Sequence, residues 1–252
     1  MIDLKDVTVV YDGQKGETLA LESVNLHINQ GDFVVLLGPS GCGKSTLLNL
    51  IAGYNFPTTG SVKIHDKTIT GPGKDRGVVF QTTNLYPWLT VKENIEYGLK
   101  IRKVAEETRH ELSRLFLEEI NLTDYQNHYP FELSGGMKQR VALIRSLINN
   151  PDILLMDEPF GALDAMTRIS MQSLLRELWN KGDQTFFLIT HDIDEALALG
   201  SRVMVMSKNP GRIIQEFDLD FHQKIFSDKN YKPTLDPDFI SIKNEIMDLI
   251  AK

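Results

Sequence analysis

Five short apolar runs restrict this chain more than any other feature: Phe33 to Leu37, Val78 to Phe80, Ile153 to Met156, Phe186 to Ile189 and Val203 to Met206. None of them alternates apolar with polar side chains. Each therefore reads as a strand buried on both faces, as in a parallel sheet covered by helices. Helical stretches separate most of them. After Gly43, the segment KSTLLNLIAG sets Leu47, Leu48 and Ile51 on one face and stops at Gly53, with Pro57 beyond. From Ser134, SGGMKQRVALIRSLINNP puts Met137, Val141, Ile144 and Ile148 on one stripe before Asn149-Asn150-Pro151. Strands alternating with helices predict an α/β fold.

Two regions break that rhythm. Residues 2–30 and 60–70 carry alternating patterns, Val7 and Val9, Val24, Leu26 and Ile28, then Val62 and Ile64, which read as antiparallel strands with one wet face. Residues 91–133 hold no good strand, whereas Ile95, Leu99, Leu112, Leu115, Phe116 and Ile120 suit helices. This predicts a helical insertion in the α/β core. Beyond Glu216 the chain turns polar. It then gives a short amphipathic helix through Phe239, Ile242, Ile246, Leu249 and Ile250, entered at Asp236-Pro237.

At 252 residues the chain can bury a substantial core, and its 42% hydrophobic and 24% charged residues are ordinary for a soluble globular protein. No apolar run approaches the roughly 20 residues that cross a bilayer. The start, MIDLKDVTVVYDG, has charges where a signal peptide needs apolar residues. A soluble, intracellular chain is expected, and the single Cys42 agrees with a reducing compartment. The net charge of -7 argues against a nucleic-acid-coating surface.

Gly38-Pro39-Ser40-Gly41-Cys42-Gly43-Lys44-Ser45 fits the pattern G-x-x-x-x-G-K-[ST], directly after one apolar strand and at the opening of a helix. Glycines let backbone N–H groups turn inward around phosphate oxygens, and the helix start adds partial positive charge. Lys44 supplies a point charge for the outer phosphates. The Ser45 hydroxyl is a ligand for Mg²⁺, and Thr46 joins the nucleotide-binding set. Cys42 fills a free slot in the pattern, as a reactive thiol or as inert filler. Far along the chain, Ile153-Leu154-Leu155-Met156 ends in two carboxylates, Asp157 and Glu158. Alone that is a strand reaching a wet loop; beside a phosphate loop, Asp157 reads as the Mg²⁺ partner and Glu158 as the residue facing the attacking water.

Leu133-Ser134-Gly135-Gly136-Met137-Lys138-Gln139-Arg140 resembles the signature motif of the ATP-binding-cassette (ABC) ATPases, and the resemblance extends over almost the whole chain. It is a second glycine-rich helix start able to bind an anion. A single chain has no evident use for two phosphate cradles. The resemblance implies a head-to-tail homodimer in which Ser134, Gly135 and Gly136 close over the partner's ATP. Tyr11 then resembles the aromatic that stacks on adenine, Gln81 the Q-loop glutamine reaching Mg²⁺ and the attacking water, and His191 the H-loop histidine on the γ-phosphate. Ala162-Leu163-Asp164 resembles the D-loop that meets the other subunit. Glu158, His191, Gln81 and Lys44 are thus the expected catalytic set, and Ser45, Gln81 and Asp157 the expected metal set. Ile144 and Ser146 depart from the small alanines usual in the signature helix.

The implied fold is a P-loop NTPase core with an antiparallel β subdomain and an inserted helical subdomain. The expected boundaries are a cassette over 1–235, an insertion over about 91–150 and a C-terminal helix over 236–252. The stretch from Gly71 to Gly77, then Tyr86-Pro87-Trp88-Leu89-Thr90-Val91 and DEPFGALDAMTR, resembles the nitrate, sulfonate and taurine importer branch. That implies ATP hydrolysis on the cytoplasmic face of the cell membrane, with an integral-membrane permease and an extracytoplasmic solute-binding protein as partners and no nucleic acid. Tyr86 and Trp88 suit either a groove gripping the permease or core packing. The competing reading is a soluble ABC ATPase of DNA repair or translation. Such proteins usually carry a coiled-coil insertion or two cassettes, and this chain has neither.

Overall fold

A computed structural model of the chain describes residues 1–13, 16–161, 163–228 and 231–251. In chain order the strands and helices are β1 (Ile2–Gly13), β2 (Gly16–Ile28), β3 (Phe33–Leu37), α1 (Lys44–Ala52), β4 (Thr59–Ile64), β5 (Lys67–Thr68), β6 (Arg76–Val79), α2 (Val91–Ile101), α3 (Glu106–Glu119), α4 (Gly135–Leu147), β7 (Ile153–Asp157), α5 (Ala165–Asn180), β8 (Thr185–Thr190), α6 (Ile193–Leu199), β9 (Arg202–Met206), β10 (Ile213–Asp218), α7 (Phe221–Ser227) and α8 (Pro237–Ala251). The chain divides into two compact units, one of residues 1–73 and 179–252, the other of residues 74–178.

The first unit holds two sheets. Strands β2, β1, β4 and β5 form an antiparallel sheet in that order, with Ile2 opposite both Ile28 and Ile64. Burial along β2 alternates near its end, with Val24, Leu26 and Ile28 inside and Asn25 and His27 outside, as a sheet with one wet face requires. The second sheet places β3 between β8 and β9, parallel to both. All five side chains of β3 are fully buried. Each such residue contributes about 1.5–3 kcal/mol relative to leaving it in water. Strand β10 pairs antiparallel with β9 and shows solvent most of its side chains. Neither β10 nor α7 is anticipated by the sequence reading: IIQEFD carries too many polar residues to read as a buried strand, because it is an edge strand.

In the second unit, β6 and β7 pair in parallel, with Val79 opposite Met156. The expected strand end at Phe80 lies just past β6. No strand interrupts residues 91–133, which form α2, α3 and two short 3₁₀ turns. Helix α2 opens with a capping box, in which Thr90 Oγ1 accepts from Glu93 N while Glu93 Oε2 accepts from Thr90 N. A cap of this kind is worth about 1 kcal/mol. The apolar stripe of α3 differs from the expected one. Ser113 and Leu117 are buried and Leu115 is exposed, because Ser113 donates to the buried Glu96 of α2 and so turns that side inward. In α4, Val141 and Ile144 are buried as expected, whereas Met137 is only half-buried.

Candidate functional site

In the first unit, the loop from Gly38 to Gly43 follows β3 and leads directly into α1. Gly43, at φ 97°, forms the turn into the helix, and a Cβ there would meet Leu21 Cδ2 at 2.7 Å and Ala20 O at 2.9 Å. Only glycine fits that position. Gly41 is likewise left-handed at φ 79°, yet has open space around it. The Lys44 side chain is buried, and its Nζ donates to Gly38 O at 2.8 Å and Pro39 O at 3.0 Å. A lone amine thus holds the loop in a ring around itself. Ser45 is exposed on the first turn of α1. Pro39 and Ser40 form the outer lip of the loop, half-buried and exposed respectively.

Cys42 is filler. Its side chain is 1% exposed, packed beneath Gly38, and burial pushes its thiol above the usual value. A buried, neutral thiol is a poor nucleophile.

Tyr11 stands on β1 and is 42% exposed. Its hydroxyl donates to Thr46 Oγ1 at 3.4 Å and accepts from Asn55 Nδ2 at 3.1 Å. Two expected binding residues, Tyr11 and Thr46, are therefore joined. Asn55 is a partner that sequence reasoning missed. His191 follows β8, whose last residue, Thr190, lies opposite Leu37, the residue before Gly38. Parallel pairing thus sets His191 at the same sheet end as the glycine-rich loop, and the His191 side chain is exposed there. The turn after it is fixed: Thr190 Oγ1 donates to Glu195 Oε2 and accepts from Asp192 N, while Asp192 caps α6.

The second unit brings the acidic strand end to Gln81. Asp157 closes β7 and Glu158 follows at φ 45°, a left-handed conformation that costs an ordinary L-residue on the order of 1–2 kcal/mol. Strain of this kind gathers at functional sites. Because β6 and β7 run in parallel register, Gln81 emerges beside Glu158, and its Nε2 donates to Glu158 Oε2 at 3.2 Å.

Ser134 caps α4, accepting from Met137 N at 3.3 Å. Gly135 is exposed with nothing near its Cα face, whereas a Cβ on Gly136 would collide with Thr167 Cγ2 of α5. Asp164 Oδ1 accepts from Met166 N at 3.1 Å and Thr167 N at 3.0 Å. The Thr167 side-chain hydrogen bond, then these amides, hold its carboxyl below the usual carboxylate range. Of the D-loop stretch, Ala162 lies outside the described residues.

A groove of about 450 Å³ opens in the same unit, lined by Lys74, Arg76, Tyr86, Tyr97, Arg102 and Arg145 among others. Tyr86 is half-buried, with its ring 4.6 Å from that of Tyr97 and 5.6 Å from that of Trp88. Trp88 is 70% exposed, so it is not part of a core. Arg145 of α4 donates to Asn84 O and Thr83 O and lies 5.5 Å over the Tyr86 ring. The sequence reading does not single out Arg145 or the fully buried Asn94. Asn94 had a detectable signal: it is a polar residue on the stripe of Val91, Ile95 and Leu99.

Residues 21–161 match the family described as ABC transporter. The chain is 43% identical over 99% of its length to the nitrate import ATP-binding protein NrtD of a Synechocystis strain, covering 94% of that protein. It is 43% identical over 98% of its length to the taurine import ATP-binding protein TauB of Pelagibacter ubique, covering 93% of it. The fold resembles the dimeric, post-hydrolysis structure of the ATP-binding cassette MJ0796 bound to ADP and Pi, with a TM-score of 0.78 and 37% identity over 87% of this chain and 99% of that one. Among the described residues, no helix is long and apolar enough to cross a membrane.

Proposed function

Because the chain belongs to the ABC transporter family as an ATP-hydrolysing cassette, we propose that it energises import of a small anion, nitrate, taurine or a sulfonate, through a separate membrane permease. The observation that carries this reading is the likeness to nitrate and taurine import ATP-binding proteins over 99% and 98% of the chain. The cassette spans 1–235, with its helical insertion over about 91–150, and the segment 236–252 beyond it carries the C-terminal helix α8. It works on the cytoplasmic face of the membrane, and an extracytoplasmic binding protein delivers the solute.

ATP is held by the loop from Gly38 to Thr46, with adenine stacked on Tyr11. Stacking on an aromatic is worth about 1–3 kcal/mol by analogy with base stacking. Lys44 gives up its carbonyl partners and turns its ammonium to the β- and γ-phosphates, and His191 contacts the γ-phosphate. Glu158 takes a proton from the attacking water as the oxygen–phosphorus bond forms and the bond to the bridging oxygen of ADP breaks. Gln81 orients that carboxylate and the water. Ser45, Asp157 and the Gln81 amide oxygen are hard oxygen donors of the type Mg²⁺ takes, so the residues present fit that ion. Held with ATP by these residues, Mg²⁺ would neutralise charge on the phosphates.

Two copies assemble, as the dimeric MJ0796 structure supports, and the second glycine-rich helix start at Ser134 argues that they do so head to tail. Ser134, Gly135, Gly136 and Asp164 of one copy then serve the nucleotide of the other. The exposed Trp88, with Tyr86 and its basic groove, is the surface that grips the permease. The DNA-repair and translation alternative has no observation in its favour. Purification of the chain from membranes, followed by reconstitution, tests the proposal. A multi-helix permease should co-purify and ATP should drive uptake of nitrate, taurine or an alkanesulfonate. Recovery with ribosomal or DNA-repair proteins instead would remove it.

A further inference from the structure

Asn94 is fully buried on α2, in a stripe otherwise made of Val91, Ile95 and Leu99. A leucine there would serve helix packing at no desolvation cost, whereas a buried amide is costly unless its polar atoms are satisfied. They are satisfied by a single neighbouring segment. Asn94 Oδ1 accepts from Tyr86 N at 2.8 Å, and Nδ2 donates to Tyr86 O at 3.1 Å, Leu89 O at 3.0 Å and Thr90 O at 2.9 Å. Two N–H groups thus serve three carbonyls. The amide closes the turn from Tyr86 to Thr90 upon itself and fixes both ends of the stretch that carries Trp88.

We propose that Asn94 is a positioning residue for permease docking: its amide holds the Tyr86–Thr90 turn so that Trp88 and the Tyr86 ring are presented in one conformation. This inference rests on the docking reading given above. An exposed aromatic on an unsupported loop would lose rotational and backbone freedom on association, and pre-ordering removes that cost. Nothing else in the turn could do so as economically. Besides the Leu89 N to Tyr86 O bond at 3.1 Å, the Asn94 N to Thr90 O bond at 2.8 Å and the Thr90–Glu93 capping box, the hydrogen bonds within this turn among the described residues pass through the Asn94 side chain.

The test uses the permease complex co-purified from membranes, with the chain titrated back onto the stripped permease. Asn94→Asp keeps the acceptor for Tyr86 N but sets a second oxygen against the carbonyls of Tyr86, Leu89 and Thr90. The concentration giving half-maximal stimulation of hydrolysis should rise at least tenfold, while the maximal stimulated rate stays within about twofold. Asn94→Ala, which removes the bonds without repulsion, should shift it in the same direction by less. In a Tyr86→Ala/Trp88→Ala background, Asn94→Asp should add almost nothing, an absence of additivity that general destabilisation does not produce. Unchanged half-stimulation in both Asn94 variants, or full additivity, overturns the inference. An unweakened complex in the Tyr86→Ala/Trp88→Ala chain alone overturns the docking reading instead. Should both Asn94 variants fold poorly, amide exchange in the wild-type chain decides: slow exchange at Tyr86 N supports the clamp, and exchange at the unprotected rate overturns it.

Discussion

The Gln81 amide nitrogen donates to Glu158 Oε2 at 3.2 Å, and Glu158 itself sits in a left-handed backbone conformation at φ 45°. The carboxylate is therefore aimed by a partner from the loop that follows the neighbouring strand and by a backbone that few glutamates adopt. Replacing Glu158 with glutamine preserves shape and removes the base. Hydrolysis should slow by about 10²–10⁴-fold, the usual range for a positioned general base, while ATP binding persists. Single-turnover phosphate release together with equilibrium dialysis checks both halves; a wild-type rate sinks the assignment.

Lys44→Ala should act on binding rather than on the chemical step alone. Loss of charge-assisted hydrogen bonds worth about 1.5–3 kcal/mol corresponds to a rise in Kd for ATP of roughly 10–100-fold. Fluorescent-nucleotide titration reads this directly. An unchanged Kd would mean that the ammonium stays on the carbonyls of Gly38 and Pro39 when nucleotide binds.

The core sheet and the glycine-rich loop were legible because their signals are local. The β3 run FVVLL is apolar on both faces, and Gly43, Lys44 and Ser45 follow it at fixed spacing. Gln81 beside Glu158 was expected only through family likeness, since the register of two strands more than 70 positions apart is not written in either alone. Asn55, Asn94 and Arg145 were missed for a related reason. Each acts through hydrogen bonds to a segment distant in sequence or on the next turn, and an Asn or Arg announces no partner. Strand β10 escaped because an edge strand with polar side chains lacks the apolar run by which the others were found.

Dimerisation should depend on nucleotide. The Glu158→Gln chain, given ATP without Mg²⁺, should move from the mass of one copy to that of two in light scattering, and Ser134→Arg should prevent the shift by blocking the exposed cap of α4. A single-copy mass at every ATP concentration, with permease present as well, would contradict the head-to-tail arrangement.

Stability should fall in mildly acidic solution through His222. Its ring packs edge-on to Trp179 at 5.0 Å, its Nδ1 is buried without a hydrogen-bond partner, and burial pushes its pKa below the usual histidine value. The unfolded chain takes up this proton near pH 6.5, whereas the folded chain resists until lower pH. The unfolded state therefore binds more protons in between, so stability held above about pH 6.5 is lost as pH falls through the folded pKa. His222→Phe should flatten the decline of melting temperature between about pH 7 and pH 5. An identical decline in the variant would assign the effect to other groups.

Permease capture should require the aromatic pair. Tyr86→Ala/Trp88→Ala should weaken permease association to a level still measurable by titration and abolish uptake of solute, because aromatic anchors of this size commonly cost 2 kcal/mol or more each when truncated at an interface, roughly 30-fold in affinity. Normal transport in that variant would send the docking surface elsewhere.

The start of α4 lies so near α5 that Gly136 has no room for a methyl group beside Thr167, and the Thr167 amide is in turn tied to Asp164. Ser134 and Asp164, 30 positions apart in the chain, are mounted on the two helix starts that meet at this seam. Any side chain at position 136 would wedge these two helix starts apart, and with them the two loops they carry.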